Sequence, residues 1–339
     1  MRVLHAVRSD AFAGVESHVA RLACAQVAAG DEVVVIGGDP DRMAGAVEGA
    51  ARLVPARTVA DVVRAVRHWQ RGADIVHAHM TAAEIACATA LLGSSTPLVV
   101  TRHFARVRGS NPASSLAAAA AAARVSAQIA ISDYVARSIG GTSTVIHPGV
   151  LSAGSTVPAS QRRPTVLVAQ RLEAEKETEV AMTAFARSGL AGQGWRLELA
   201  GGGAERQRLE ALATRLGIAP STDFLGHRGD VTQLMRHASV LLAPCRVEGL
   251  GLTVLEAMAE ALPVVAVGAG GHLETVGSVR GAALHAPGDA DAAGSLLRGL
   301  ALDPAARDAY GAVLQRAQRE RFTPEHQALQ TAAVYREVI

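Results

Sequence analysis

At 339 residues, with 49% hydrophobic and 19% charged residues, the chain is too long for one ordinary core and too apolar for a disordered protein. A net charge of +2 excludes a general attraction to nucleic acid or anionic membranes. Three scattered cysteines, Cys24, Cys87 and Cys245, exclude a disulfide framework or a CxxC zinc site and fit buried thiols in a reducing cytoplasm.

The first segment, RVLHAV (2–7), reads as a buried strand, followed by a Gly-containing turn and a helical pattern over 16–30 that ends at Gly30. EVVVIGG (32–38), DIVHAH (74–79), PLVVTRH (97–103), AQIAIS (127–132) and STVIHPG (143–149) continue the strands, with helices between them. Continuous Val/Ile-rich strands alternating with helices predict a parallel sheet covered on both faces. The alanine tract at 115–126 predicts a helix, alanine being the best helix former. The N-terminus lacks the apolar core of a signal peptide, and no run approaches the ~18 apolar residues that span a bilayer. A cytoplasmic protein without a transmembrane segment is the expectation.

Residues 151–164 are rich in Ser, Pro and Gly and read as an interdomain linker. The alternation restarts with TVLVAQ (165–170), RLELAG (196–201), STDFLG (221–226), SVLLAP (239–244) and PVVAVG (263–268). The fold class is therefore α/β, with two Rossmann-like, doubly wound parallel-sheet domains and a cleft at the carboxyl edges of the sheets, where ligands bind. The expected boundaries are 1–150 for the first domain, 151–164 for the linker, 165–320 for the second domain, and 321–339 for a C-terminal helix packing back on the first domain.

Of the 33 basic residues only Lys176 is lysine. Arg171 and Lys176 follow the TVLVAQ strand, and two cations at the mouth of a sheet suit a diphosphate: a fork for its oxygens and a mobile point charge. A solvated helix start, with Lys176 paired to Glu173 or Glu177, is the other reading. CRVEGLGLTVLEAMAEALPVVA (245–266) places Glu248 and Glu256 eight residues apart with Gly249 and Gly251 between them. The glycines can bring backbone N–H groups to an anion at the start of a helix near Leu252, and Glu256, one turn along, can accept from a ribose diol.

On these stretches the chain resembles family-4 glycosyltransferases, retaining enzymes of the GT-B fold. The resemblance extends through VLVAQRLEAEK, LELAGGGAERQRLEALATRLGI and FLGHRGDVTQLMRHASVLLAP in the second half. In the first half it runs through FAGVESHVARLACAQVAAGDEVVV, TRHF, AQIAISDYV and VIHPGV. It implies that Arg171 and Lys176 neutralise the leaving diphosphate, with His103, Arg171, Lys176 and Glu248 forming the catalytic set. It further implies Glu256 on the ribose, phosphate contacts at Gly251, Leu252 and Thr253, Glu248 on the sugar hydroxyls, and His227 and Arg228 beside the base. Gly14 would offer its amide to the diphosphate, Glu16 would face the acceptor, and His103 would lie beside the sugar. Gln170 and Glu177 stand where the family usually has glycine, Pro148 where it has Asn, and Ala13 in place of the first Gly of a pair.

The implied function is metal-independent transfer of a sugar from a nucleotide-diphosphate donor to a small-molecule or glycan acceptor hydroxyl, with no cofactor and no nucleic-acid partner. A nucleotide-sugar 2-epimerase of the same fold and an idle sugar-nucleotide-binding subunit are the alternatives. The sequence does not settle the oligomeric state. His77 and His79 share a strand face with Glu84 nearby, and hydrogen-bonded histidines are expected there rather than a metal. GDADAAG (288–294) reads as a helix cap, GGGAER (201–206) is an incomplete dinucleotide turn, and of the basic stretch TRHFARVR (101–108) only His103 carries a role.

Overall fold

The computed structural model describes residues 1–106 and 112–339, and for 112–116 the backbone only. Val107 and Arg108 of the basic stretch lie outside the described residues. Contacts divide the chain into one unit of Met1–Gly149 with Phe322–Ile339 and a second of Val150–Arg321.

The first unit is built on strands β1 (Arg2–Val7), β2 (Glu32–Ile36), β3 (Arg52–Val54), β4 (Ile75–His79), β5 (Leu98–Arg102), β6 (Ala127–Ala130) and β7 (Thr144–Val145), in the order 3-2-1-4-5-6-7. Every pairing is parallel. Side chains alternate between the faces of a strand. One face carries Leu4, Ala6, Val34, Ile36, Val76, Ala78, Leu98 and Val100 into an apolar core with helices α3 (Val59–Trp69) and α4 (Thr81–Ala90). The opposite face begins apolar, with Val3, Ile75 and Val99, and turns polar toward the carboxyl ends with His5, His77, His79 and Thr101. Helices α1 (Gly14–Ala28) and α13 (Pro324–Val338) supply groups that cover this second face, among them Gln26 and Tyr335. The alanine tract forms α5 (Pro112–Ala122).

In the second unit, β8 (Thr165–Ala169), β9 (Arg196–Ala200), β10 (Thr222–Gly226), β11 (Val240–Ala243), β12 (Val264–Val267) and β13 (Leu284–His285) run in the order 10-9-8-11-12-13. The order reverses beside β8 in this sheet and beside β1 in the other, the switch points where doubly wound sheets open a crevice. The core packs Val166, Val168, Leu197, Leu199 and Val240 against α7 (Thr178–Ser188) and α11 (Ala290–Leu302), through Phe185, Met182 and Leu297. Gly294 lets α11 lie close to α7, since a Cβ there would stand 2.8 Å from the Ala184 carbonyl oxygen. The segment 151–164 is tied into this unit. Arg162 is buried and donates to the carbonyls of Val157, Met235 and Glu260.

The strands β3 and β13 were not expected from the sequence; at three and two residues they are too short to show a pattern. Among the described residues no helix is long and apolar enough to cross a membrane.

The end of the first Rossmann pass and the returning helix meet at Gly149. A Cβ there would lie 2.2 Å from the Thr323 carbonyl carbon, and its N–H donates to Gln327 Oε1 at 2.8 Å. Gly149→Ala should therefore cost about 2 kcal/mol or more in urea denaturation, because backbone rather than a side chain must yield. Gly154→Ala, in open space, should leave the midpoint in place. Equal behaviour of the two variants would contradict this contact.

Candidate active site

The charged groups of the second unit are set by the loop that leaves β8. The Gln170 side-chain amide donates to the Lys176 carbonyl at 2.8 Å and to Thr178 Oγ1 at 3.0 Å, closing the loop upon itself. Residues Ala174–Lys176 form a single 3-10 turn, and Glu177 then takes a left-handed backbone (φ 52°) before α7 begins. This is the position where the family pattern has glycine, and the conformation is one that glycine adopts without penalty. Lys176 thus projects from the turn ahead of the helix, where the sequence had suggested the helix start itself.

Lys176 Nζ lies 2.7 Å from Glu248 Oε2. Glu173 and Glu177, the neighbours weighed as partners, are engaged elsewhere: Glu173 accepts from the Ala204 N–H, and Glu177 pairs with Arg246 at 3.3 Å. Burial pulls the Lys176 ammonium down, but the Glu248 carboxylate and its hydrogen bond prevail and hold it above its ordinary range. Arg171 is different. Its side chain is 66% exposed against 17% for Lys176, and it rests 3.0 Å from Glu175. The buried Cys245 thiol donates to the Glu175 carbonyl at 3.4 Å and packs beside the lysine, its pKa pushed up by burial.

Glu248 sits on the turn before α10 (Leu252–Ala259), whose N-cap Gly251 has φ 92°. The half-exposed residues Leu252, Thr253 and Glu256 share one side of α10, while Val254, Leu255, Ala257, Met258 and Ala259 are buried. A second glycine pair, unread in the sequence, supports this turn from beneath. The Gly271 N–H donates to the Glu248 carbonyl at 2.9 Å, and a Cβ on Gly271 would stand 2.3 Å from the Leu250 Cα. His272 packs its ring against Gly251, where a Cβ would meet Cδ2 at 3.2 Å. The signal was GGH at 270–272 after a strand, which motif spacing alone left mute.

Other expected positions are simpler. His227 and Arg228 are exposed just past β10, with Arg228 paired to Asp230 at 2.6 Å. Asp289 caps α11 by accepting from the Ala292 N–H. The glycines at 201 and 203 are needed for packing: Cβ atoms there would strike the carbonyl oxygens of Gln170 and Leu172.

In the first unit, Gly14 is the first residue of α1, and buried Glu16 accepts from the Ala13 N–H at 2.9 Å, a cap on its own helix. His103 lies one residue beyond β5 within a buried imidazole cluster. His5 Nε2 is 2.6 Å from Gln26 Oε1, His5 Nδ1 is 3.0 Å from His79 Nε2, and His79 Nδ1 is 3.2 Å from His103 Nε2. His77 lies 2.6 Å from the Tyr335 hydroxyl through Nδ1 and 2.7 Å from Thr101 Oγ1 through Nε2. His18 lies 3.2 Å from the Gln327 amide nitrogen and meets the His103 ring edge-on, with centroids 4.7 Å apart. Glu84 is buried on α4. Among the described residues two imidazole trios, His5/His77/His79 and His18/His79/His103, bring nitrogens within 4.8 Å of one another. Burial lowers the pKa of all five, to about 4 for His5 and about 3 for His103, so the cluster is neutral at pH 7.

Two doubly wound parallel-sheet units, the second carrying Lys176 and Arg171 and a Gly-capped helix with Glu248 on the turn ahead of it and Glu256 within it, match the GT-B class of glycosyltransferase folds. The chain belongs to the family-4 glycosyltransferases. The model described as Glycosyltransferase Family 4 matches residues 12–150, and that described as Glycosyl transferases group 1 matches 156–314. It is 33% identical over 132 residues to a lipopolysaccharide core biosynthesis mannosyltransferase, LpcC, of Rhizobium leguminosarum bv. viciae, covering 39% of this chain and 38% of that one. It is 31% identical over 203 residues to a glycogen synthase of Mycobacterium tuberculosis, covering 57% and 48%. These matches span less than half the length of either relative. The fold is shared with HepE of Anabaena, solved in complex with UDP-glucose, at a TM-score of 0.80 and 21% identity over 99% of this chain and all of that one.

The neutral imidazoles make a pH prediction. Unfolded, each takes a proton near its ordinary value of 6.5; folded, it does not until well below. Stability is therefore full above that pH and is lost as pH falls through 6.5 toward the folded values. At pH 5 a histidine held neutral forfeits about 2 kcal/mol. Urea midpoints should drop steeply between pH 7 and pH 5, and His5→Gln should flatten the slope. A midpoint constant across that range would contradict neutral burial.

Proposed function

We propose that the chain is a retaining glycosyltransferase that moves a sugar from a nucleotide-diphosphate donor to an acceptor hydroxyl without a metal ion. The observation that carries this reading is the half-buried Lys176–Glu248 pair, standing with Arg171 on the donor-type unit beside the Gly251-capped start of α10. A diphosphate leaving group needs positive charge that does not have to reorganise as the bond breaks. Lys176 and Arg171 supply it, and the α10 dipole adds to it. An arriving donor exchanges the ammonium's partner from carboxylate to phosphate, which frees the Glu248 carboxylate for the sugar's hydroxyls. Glu256, on the half-exposed side of α10, takes the ribose diol, and His227 and Arg228 border the base. Gly14 serves the diphosphate, and Glu16 and His103 serve the acceptor and sugar.

No side chain is assigned as a nucleophile on the sugar. Attack from the face of the departing phosphate, assisted by one of its oxygens, accounts for retention. The support for a sugar-nucleotide donor is the charge set itself, together with the shared fold of HepE, which was solved with UDP-glucose.

A thermal-shift screen of UDP, GDP, dTDP and ADP with their sugars identifies the donor. With it, Lys176→Ala should lower kcat/KM by about 10²-fold or more with the fold intact, and Lys176→Arg should be similarly damaging. Wild-type turnover in either would sink the mechanism. Activity should persist in EDTA, and the anomeric proton coupling of the product should match that of the donor. Glu256→Ala should weaken the free nucleotide diphosphate about tenfold, the loss of one charge-assisted hydrogen bond. Unchanged affinity would remove Glu256 from the ribose.

A further inference from the structure

Three consecutive residues of the loop after β8 reach across to the loop after β11. The Glu175 carbonyl accepts from the Cys245 thiol at 3.4 Å, Lys176 Nζ meets Glu248 at 2.7 Å, and Glu177 takes hold of residue 246 twice. Its Oε2 accepts from the Arg246 N–H at 3.2 Å, while Oε1 lies 3.3 Å from Arg246 Nε. Glu177 makes these contacts from a left-handed backbone (φ 52°), where glycine would sit without penalty. An acidic residue just ahead of a helix ordinarily caps it, but this carboxylate turns away from α7 to the other loop. A solvated surface pair would hold little in place; the Glu177 side chain is only 14% exposed. The second loop is also held from beneath, where a Cβ on Gly270 would stand 2.7 Å from the Glu248 carbonyl oxygen and 3.0 Å from that of Arg246.

We propose that Glu177 is a positioning residue whose carboxylate straps the two loops together, so that the spacing of Lys176 and Glu248 survives when the donor parts them. This rests on the sugar-transfer reading of the chain. In the resting state the Lys176–Glu248 pair itself joins the loops. A donor that draws the ammonium to its diphosphate and the carboxylate to its sugar removes that link. It does so when the two groups most need a fixed separation. The contact of Glu177 with residue 246 involves neither group and outlasts the exchange. A free nucleoside diphosphate uses Lys176 without Glu248, so the strap matters to a ligand that engages both. Glu177 thereby favours the intact sugar nucleotide over the nucleoside diphosphate that it leaves behind. The role accounts for a glutamate at a backbone position that suits glycine.

The test compares two ligands on the full chain: the sugar nucleotide found by thermal shift and its own nucleoside diphosphate. Glu177→Gly should weaken the sugar nucleotide about tenfold, the scale of one charge-assisted hydrogen bond, with the affinity for the nucleoside diphosphate unchanged. Its urea midpoint should hold or rise, since glycine is at ease in the left-handed region. Equal losses for both ligands, or wild-type affinity for both, overturn the proposal. Arg246→Ala removes the guanidinium but keeps the backbone N–H, so its loss should be of the same kind and smaller. The double variant should then be no worse than Glu177→Gly alone. Additive losses would make Arg246 a separate ligand contact and overturn the strap. If Glu177→Gly does not fold, Glu177→Asn decides the same comparison, because asparagine tolerates this backbone and its side chain is shorter. A readout without ligand follows Cys245, which the joined loops enclose. Its labelling by iodoacetamide, located by peptide mass, should be about tenfold faster in Glu177→Gly; an unchanged rate overturns the strap. Wild-type protein that binds no sugar nucleotide, with labelling quickened in the variant, defeats the transferase reading and leaves the strap between the loops standing.

Discussion

A parallel sheet has to be covered on both faces, and in the first unit this constraint decides almost everything else. Toward α3 and α4 the strands present only aliphatic groups, and the cover is ordinary packing. On the other face the carboxyl halves of β1, β4 and β5 carry imidazoles and a hydroxyl, which no apolar helix can bury without cost. The unit meets this with polar groups on its covering helices: Gln26 from α1, and Gln327 and Tyr335 from α13. Because α13 follows the whole of the second unit in sequence, the first sheet is complete only when the chain has come back. Gly149, with no room for a side chain against Thr323 and Pro324, marks where that return is fastened.

The second unit meets a different difficulty, which is to keep a cation near the interior without spending it. Lys176 is largely out of water, and an ammonium there without a partner would shed its proton. Glu248 prevents this from 72 residues away in sequence, reaching it from the turn before α10. The geometry depends on backbone that few residues tolerate: a left-handed Glu177 on one side and Gly251 on the other, with Gly270 and Gly271 packed beneath. Strain and close approach of this kind gather where a site needs groups held at fixed positions.

The fold class was legible because doubly wound units announce themselves through repeated Val/Ile runs with helices between them. What escaped was short or remote. Strands β3 and β13 have too few residues for a period to appear. The partner of Lys176 was sought among its sequence neighbours, because local spacing favours Glu173 and Glu177; tertiary packing gave those glutamates to Ala204 and Arg246 and gave the lysine to Glu248. His77 and His79 could be placed on one strand face from their spacing. Their bonds to Tyr335 and His5, which span 258 and 74 residues, lie in the register of β1 with β4 and in the return of α13, neither of which a local pattern contains.

The single lysine is the sharpest case of position deciding residue type. Arginine serves this chain wherever a cation is solvated or lies along a surface, as Arg171 and Arg228 do against Glu175 and Asp230. At 176 the side chain must pass beside the buried Cys245 and end in a space bounded by Glu248. A guanidinium is planar and broad, and it locks a carboxylate through two parallel bonds. That grip would hold Glu248 more firmly in the resting state and make the exchange from carboxylate to phosphate harder. An ammonium offers three donors around one point and can turn from one anion to the next without moving its stem. The requirement at this position is thus for a charge that can change partners, and among cationic side chains lysine meets it at the smallest size.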